Sequence, residues 1–141
     1  MNFSLQQLKY LILDMDGVLW RGRTPMPHLA EFFQQLDQLG IQYVLATNNA
    51  TSTLANYQEK LGNWNIKLSP EHILTSAIAT ATYLQTQYPK GTPLYAVGGA
   101  GIQAAFREAN FSMLDSFDPD SPPQAVVVGL DLEVTYQRSN S

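Results

Sequence analysis

Apolar residues along this chain follow two alternating patterns, a short continuous run and a longer stripe at helical spacing. A continuous run bounded by turn residues indicates a buried strand, whereas a stripe with a period near 3.6 indicates an amphipathic helix. The first half of the chain has the order strand, helix, strand, helix, which predicts a parallel sheet and an α/β fold. The elements predicted there are a strand over residues 10–13, a helix opened by Pro27 and closed by Gly40, a strand over Ile41–Ala46, and a helix that bears Leu54, Tyr57 and Leu61, ends at Gly62 and is capped by Thr51 or Ser52.

The second half of the chain continues the same alternation. Pro89, Lys90 and Gly91 interrupt the pattern, and we expect a domain boundary there, between residues 1–91 and residues 92–141. The predicted elements around it are a helical turn at Ser69-Pro70-Glu71, strands over Ile73–Thr75, Leu94–Val97, Phe111–Leu114 and Ala125–Val128, helices over Ala77–Tyr88 and Ile102–Ala109, and a polar loop over Asp115–Pro123.

Two carboxylates close the first predicted strand. Asp14 and Asp16 flank Met15, and Gly17 follows them. In a strand, alternate side chains share a face, so both carboxylates can point at one spot while Met15 packs inside. Two like charges at that spacing repel each other unless one carboxyl holds a proton or a divalent cation lies between them. The pattern therefore favours a reaction centre.

Polar residues also end the second predicted strand. Thr47 and Asn48 follow Asp14 by about the length of one strand-helix-strand unit. Ligands of open parallel sheets bind at the carboxyl ends of the strands, so the two pairs should converge on one pocket if their strands are neighbours. Hydroxyl, amide and backbone N–H groups are the donors that phosphate oxygens need. The alternative role for Thr47 and Asn48 is to cap the following helix.

The amino-acid composition excludes several classes of function and of site. A chain of 141 residues with 45% hydrophobic residues can bury a core, and its net charge of −4 gives no general attraction to nucleic acid or anionic membranes. It has no cysteine, which excludes disulfides, thiol nucleophiles and cysteine-based metal centres. No apolar stretch reaches the ~18 residues of a membrane span, and the first residues lack the order of a signal peptide. We therefore expect a cytoplasmic protein.

Four further residues have competing interpretations. His28 and His72 each follow a proline near a predicted helix start, and we interpret both as surface or capping residues. Trp20 either flanks a substrate entrance or packs beside the strand end. Asp131, after Gly129 and Leu130, either approaches the active site or is a turn residue, and we interpret it as a turn residue.

The two polar strand ends resemble the first two motifs of the haloacid dehalogenase superfamily of phosphatases. The strings that carry the resemblance are Asp14-Met15-Asp16-Gly17-Val18 and Thr47-Asn48, in that order and at that spacing. With Thr75-Ser76-Ala77 and Val97-Gly98-Gly99-Ala100-Gly101, the chain resembles the class IIA branch, which contains p-nitrophenyl, phosphoglycolate and pyridoxal phosphate phosphatases. The resemblance implies a Rossmann-like parallel sheet core, here in part, with the first part of an inserted α/β cap domain.

The resemblance also implies a function and a mechanism. The protein would be a Mg²⁺-dependent phosphatase that acts on small phosphorylated metabolites through an aspartyl-phosphate intermediate. Asp14 would be the nucleophile, and Asp16 would protonate the leaving group and later take a proton from water. Mg²⁺ would be held by the Asp14 carboxylate and the Asp16 backbone carbonyl. Thr47, Asn48 and backbone N–H groups around Gly17 would bind the phosphoryl group.

A second function hypothesis rests on the glycines of the second half. Gly99, Ala100 and Gly101 match a G-x-G-x-x-A pattern between a predicted strand and a predicted helix, and Asp115 follows the next strand. A nucleotide-binding module of the NAD type would place its glycines and its ribose-binding acid in this way. Glycines at a tight turn also serve backbone geometry alone.

The resemblance covers the amino-terminal half of the family's pattern, since residues 1–141 contain no counterpart of its third-motif lysine or fourth-motif acidic pair. We therefore expect this chain alone to be truncated, inactive or weak as an enzyme, and a poor binder of Mg²⁺. We also expect association through an open sheet edge beside Asp14, with a second copy or with a complementing carboxy-terminal half. No nucleic acid or membrane partner is expected.

Overall fold

The computed structural model describes residues 7–130 and confirms the α/β class, because helices and strands alternate along the chain as the pattern predicts. The helix ends differ from the predicted ones by a few residues. The hairpin formed by Trp20–Arg21 and Thr24–Pro25 was not predicted, because a two-residue strand leaves no pattern. In chain order the elements are β1 (Tyr10–Asp14), β2 (Trp20–Arg21), β3 (Thr24–Pro25), α1 (Leu29–Gln38), β4 (Gln42–Thr47), α2 (Leu54–Gly62), a 3-10 turn (Pro70–His72), β5 (Ile73–Thr75), α3 (Ser76–Gln85), β6 (Pro93–Val97), α4 (Ala100–Glu108), β7 (Ser112–Leu114) and β8 (Ala125–Val128).

Internal contacts divide the chain into two units. The first unit contains the residues up to Thr47 together with Ala55–Leu74, and the second contains Asn48–Leu54 together with the residues from Thr75 onward. The contacts thus group α3 with the second unit, whereas the sequence predicts a domain boundary near residue 91. That boundary concerns the family's core and cap domains, and it stays a prediction.

The first unit is built on a parallel sheet with the strand order β1-β4-β5. Leu11 and Leu13 of β1 pair with Tyr43 and Leu45 of β4, so these four side chains share one face of the sheet. Tyr43 and Leu45 are buried, and the ring of Phe33 from α1 lies 5.2 Å from the ring of Tyr43. The predicted apolar stripe of α1 therefore covers this face.

The opposite face of β1 is open. Tyr10 and Ile12 are 70% and 77% exposed, although both are large and apolar. Within residues 7–130, β1 is also the last strand of its sheet, so one of its edges has no strand partner. This is the open edge expected beside Asp14, and an edge of this kind is a template for pairing with another chain.

Tyr43 gives the first unit a measurable response to alkaline pH. Burial, with a smaller effect from the Asp37 carboxylate that accepts its hydrogen bond, raises the pKa of Tyr43 from 10.0 to about 12. Folding therefore favours the neutral phenol, and this contribution to stability is present below pH 10 and is lost as the pH rises towards 12. We expect Tyr43→Phe to flatten the fall in the urea midpoint between about pH 10 and pH 12. Tyr83→Phe, at an exposed position, should leave that fall unchanged.

The second unit is a separate α/β layer with the parallel strand order β7-β6-β8. Its core contains Leu94, Ile102 and Phe106, with the small residues Ala77 and Ala81 from α3. The side chain of Thr75 accepts a hydrogen bond of 3.1 Å from the N–H of Ile78 and so caps α3. Ala50 belongs to this core as well, which is why the segment Asn48–Leu54 is part of the second unit.

Candidate functional site

Asp14 occupies the carboxyl end of β1 and is exposed. Its register partner on the neighbouring parallel strand is Ala46, and Thr47 follows directly as the last residue of β4. The two strands are neighbours, as the convergence of the motifs requires. The structure therefore brings Asp14 and Thr47 to the same end of one sheet, where ligands of open α/β sheets bind.

Asp16 lies beyond the strand, which corrects one step of the sequence argument. Because β1 ends at Asp14, the alternation of side chains along a strand does not determine where Asp16 points. A short loop positions Asp16 instead. Met15 is fully buried, as expected, and its carbonyl accepts the N–H of Leu19 at 2.9 Å. Gly17 has φ +85°, a conformation that favours glycine, and its N–H donates to the carbonyl of Trp20 at 2.7 Å.

The side chain of Asp16 is oriented by a tryptophan. The indole Nε1–H of Trp20 donates a short hydrogen bond of 2.7 Å to Oδ1 of Asp16. Trp20 is fully buried, and its ring lies 5.5 Å from Trp64 and 6.5 Å from Tyr57. The ammonium of Lys60 lies over the same ring at 4.4 Å. Trp20 therefore packs inside and holds Asp16, a function that the sequence argument missed.

Trp20→Phe tests this orientation. Phenylalanine removes the indole donor and leaves a small cavity at a fully buried position, so we expect a loss of about 2–3 kcal/mol in the free energy of unfolding. Urea denaturation followed by circular dichroism measures it. The double variant Trp20→Phe with Asp16→Asn should cost little more than the first change. Fully additive losses would contradict a bond between the two side chains.

The second motif lies where the chain leaves the first unit. Asn48 is exposed and grouped with the second unit, where its carbonyl accepts a hydrogen bond of 3.0 Å from the Ser76 hydroxyl. The side chain of Asn49 accepts from the N–H and the hydroxyl of Thr51, at 2.9 and 2.6 Å. Since α2 begins only at Leu54, neither Thr47 nor Asn48 is its N-cap residue. The same start corrects the expected cap at Thr51 or Ser52.

The donor set at Asp14 is compatible with Mg²⁺ and does not form a complete cage. Within residues 7–130, no group of three or more His, Cys, Asp or Glu side chains is placed to hold a metal ion. Mg²⁺ keeps several waters and binds through one or two carboxylates together with substrate phosphate, which two neighbouring aspartates can provide. The Oδ1 atom of Asp14 accepts the N–H of Met15 at 3.0 Å, so its second carboxylate oxygen is the one that is suited to a metal.

The glycines of the second half serve close packing. A Cβ at Gly101 would overlap the carbonyl oxygens of Ala50 and Ser52, and one at Gly99 would lie 3.2 Å from Cα of Thr51. The N–H of Gly101, which a bound phosphate would require, donates to the carbonyl of Thr51 at 3.2 Å. Protein backbone therefore fills the space that a dinucleotide would need, and the nucleotide-binding alternative is not favoured.

The two histidines singled out in the sequence contact other side chains. His28 is at the surface, as expected, and pairs with Glu31 at 3.7 Å, although its side chain makes no capping bond. His72 is half-buried, with its ring 4.8 Å from that of Tyr43, so its surface interpretation was only partly right. Asp131 lies outside the described residues. Each described helix is too short or too polar to cross a bilayer.

Comparison with known proteins supports the family resemblance of the two motifs. A family model described as haloacid dehalogenase-like hydrolase matches residues 11–112. An acid sugar phosphatase of Staphylococcus aureus is 35% identical over 134 residues, which cover 95% of this chain and 50% of that protein. The chain thus spans about half the length of the curated relatives it matches.

Solved structures of phosphatases share the fold of this chain over part of their length. A 4-nitrophenylphosphatase from Thermotoga maritima superposes with a TM-score of 0.82 at 25% identity, over 96% of this chain and 50% of that one. A glycerol phosphate phosphatase from Mycobacterium tuberculosis, solved in complex with magnesium, has a TM-score of 0.78 at 25% identity, over 94% of this chain and 39% of that one.

Proposed function

The chain belongs to the haloacid dehalogenase-like hydrolases, and from that premise we propose that it hydrolyses phosphate monoesters of small metabolites. Its likeness to nitrophenyl phosphatases agrees with the class IIA branch. The observation that carries the proposal is the position of Asp14, exposed at the carboxyl end of β1 and in register with the last residues of β4. A carboxylate there can reach a phosphorus atom from one side.

The first step is the transfer of the phosphoryl group to Asp14. A carboxylate oxygen of Asp14 attacks phosphorus, the bond from phosphorus to the ester oxygen breaks, and the leaving alkoxide takes a proton from Asp16. The hydroxyl of Thr47 and the amide of Asn48 bind the phosphoryl oxygens. Gly17 gives the backbone the turn that this loop needs, and its place among the phosphate-binding residues stays a proposal.

The second step returns the enzyme to its starting state. Asp16, now a carboxylate, takes a proton from the water that attacks phosphorus, and the carboxylate of Asp14 leaves. Trp20 keeps Asp16 in one orientation during both steps. The Asp14 carboxylate and the Asp16 carbonyl would hold Mg²⁺, whose charge would offset the repulsion between the nucleophile and the phosphate. The site carboxylates fit this role because neither lies deep in the protein.

Detection of an aspartyl-phosphate on Asp14 directly tests the proposed mechanism. The polypeptide is taken at its natural length, whether that is residues 1–141 or a longer chain, and incubated with Mg²⁺ and acetyl phosphate. Intact-mass spectrometry should detect a phosphoryl adduct that is labile to hydroxylamine, and peptide mapping should place it on Asp14. An adduct on serine, threonine or another aspartate would overturn the assignment.

We also propose that the open face of β1 is covered by polypeptide equivalent to the other half of the relatives. The relatives are about twice the length of this chain, and Tyr10 and Ile12 expose large apolar surface next to Asp14. Residues 1–141 alone should then self-associate and show weak phosphatase activity. Sedimentation velocity tests this. A monomer that stays dispersed at high concentration, with a turnover typical of phosphatases, would contradict it. Tyr10→Lys with Ile12→Lys should reduce the association.

Substrate and location remain at the level of proposals. The acid sugar phosphatase and the glycerol phosphate phosphatase are named for small phosphorylated compounds, which supports that substrate class here. The assignment of residues 1–91 to a core domain and residues 92–141 to part of a cap, and a cytoplasmic location, stay predictions. A panel of sugar phosphates, glycerol phosphate and p-nitrophenyl phosphate with Mg²⁺ would rank the substrates.

A further inference from the structure

A polar recess lies beside α2 in the first unit. It has a volume of about 450 Å³. Cavities of this size hold small-molecule ligands. Asp14, Asp16 and Thr47 do not line it, so it is separate from the proposed site of phosphoryl transfer. Its lining residues are Arg23, Asn56, Glu59, Lys60, Asn63 and Trp64.

One side of the recess is the polar face of α2. Asn56, Glu59, Lys60 and Asn63 follow the spacing of a single helix face, whereas Tyr57 lies on a different side of the helix and is buried. A polar helix face is usually only solvated. Here Arg23 in the β2–β3 turn and Trp64 after the helix close the face into a concave site.

The recess is positively charged in an acidic protein. The chain has a net charge of −4 and eight Lys and Arg residues. Two of these cations, Arg23 and Lys60, line the recess, and among the described lining residues Glu59 is the one carboxylate. Throughout the described part of the chain, neither Arg23 nor Lys60 forms an ion pair. Two cations without an ion-pair partner in one concave site favour an anionic ligand.

Lys60 is held in position before any ligand arrives. Its ammonium lies 4.4 Å from the centre of the Trp20 ring and 5.6 Å from that of Trp64, so two aromatic faces restrict it. A side chain that is already ordered loses less entropy when it binds. The half-buried indole of Trp64 adds an apolar face against which a ring can stack.

We propose that this recess is a second binding site, for a small organic molecule that carries a phosphate or carboxylate group. The guanidinium of Arg23 and the ammonium of Lys60 bind the anionic oxygens. The amide of Asn63 and the carboxylate of Glu59 bind hydroxyl groups, and Trp64 packs against the body of the ligand.

The two tryptophans of the chain make the test direct. Their indole N–H signals are followed by ¹H–¹⁵N NMR during titration with glucose 6-phosphate, gluconate and glucose, in buffer freed of Mg²⁺ by a chelating resin. The charged compounds should shift the Trp64 signal to saturation, and glucose should not. The response to glucose 6-phosphate compared with gluconate shows which anionic group is preferred. Absence of a saturable shift with either anion would overturn the proposal.

Variants separate this site from the phosphoryl-transfer site. Arg23→Gln and Lys60→Gln should each weaken binding about tenfold or more. Lys67→Gln, an exposed cation outside the lining, should have no effect. Thr47→Ala should leave the affinity unchanged. If Thr47→Ala removes the response while Arg23→Gln and Lys60→Gln keep it, the anion occupies the phosphoryl-transfer site and the recess is not a binding site.

Discussion

Asp14→Asn, made in the polypeptide of natural length, should lower kcat for phosphate release by at least about a thousandfold, because an amide cannot attack phosphorus to form the acyl-phosphate. The fold should survive, since the side chain is exposed at the end of β1 and asparagine has nearly the same shape. The aspartyl-phosphate adduct should disappear together with the activity. The measurement is a phosphate-release assay with Mg²⁺, with the adduct mass followed in parallel.

Asp16→Asn should give a different pattern, and the contrast separates the two functions. With acetyl phosphate, whose leaving group needs no proton, the adduct should still form on Asp14. Its hydrolysis should be slow, because no group takes the proton of the attacking water. The adduct should therefore accumulate in Asp16→Asn. Asp115→Asn, at an exposed carboxylate in the second unit, is the matched control and should keep the activity. Equal loss of the adduct in Asp14→Asn and Asp16→Asn would argue against separate functions.

Gly101→Ala should destabilise the second unit by about 2–4 kcal/mol, the largest structural effect we expect. A Cβ there would overlap the carbonyl oxygens of Ala50 and Ser52, which are backbone atoms and cannot move aside as a side chain can. The start of α4 must then separate from the 48–54 segment, which removes the hydrogen bond from the N–H of Gly101 to Thr51. Hydrogen exchange at the amides of α4 measures this loss within the second unit.

Gly62→Ala is the control for this substitution. Gly62 is the last residue of α2, and a Cβ there would meet no atom within 4 Å. Alanine at such a position should leave stability unchanged or raise it by about 0.5–1 kcal/mol. If Gly101→Ala behaves like Gly62→Ala, the close approach of the two backbone segments is not a requirement of the fold.

The sequence predicted most of the elements because their signals are local. The stripe of α1 and the continuous run of β4 are properties of neighbouring residues, and the positions of Asp14 and Thr47 follow from strand ends. Met15 was correctly predicted to be buried. These features needed no knowledge of distant parts of the chain.

Features that depend on loop geometry or long-range packing were not predictable. The orientation of Asp16 depends on a loop that returns Trp20 to it, and β2 is too short to leave a periodic signal. The ring contact between His72 and Tyr43 joins residues that are far apart in the chain. The glycines of α4 matched a nucleotide-binding pattern, because a phosphate and a neighbouring carbonyl place the same demand on a backbone that lacks a Cβ.

The placement of Asn48–Leu54 in the second unit has a consequence for synthesis and for dissection of the gene. The chain passes between the units after Thr47, after Leu54 and after Leu74, so neither unit can be expressed as one uninterrupted fragment. During translation the segment Asn48–Leu54 cannot form its hydrogen bonds with Ser76 and Gly101 until those residues have been synthesised, which takes a few seconds at roughly 5–20 residues per second. Until then the carbonyls of Asn48 and Thr51 lack the donors that they have in the folded unit, so the segment can take its final position only after the start of α4 has been synthesised.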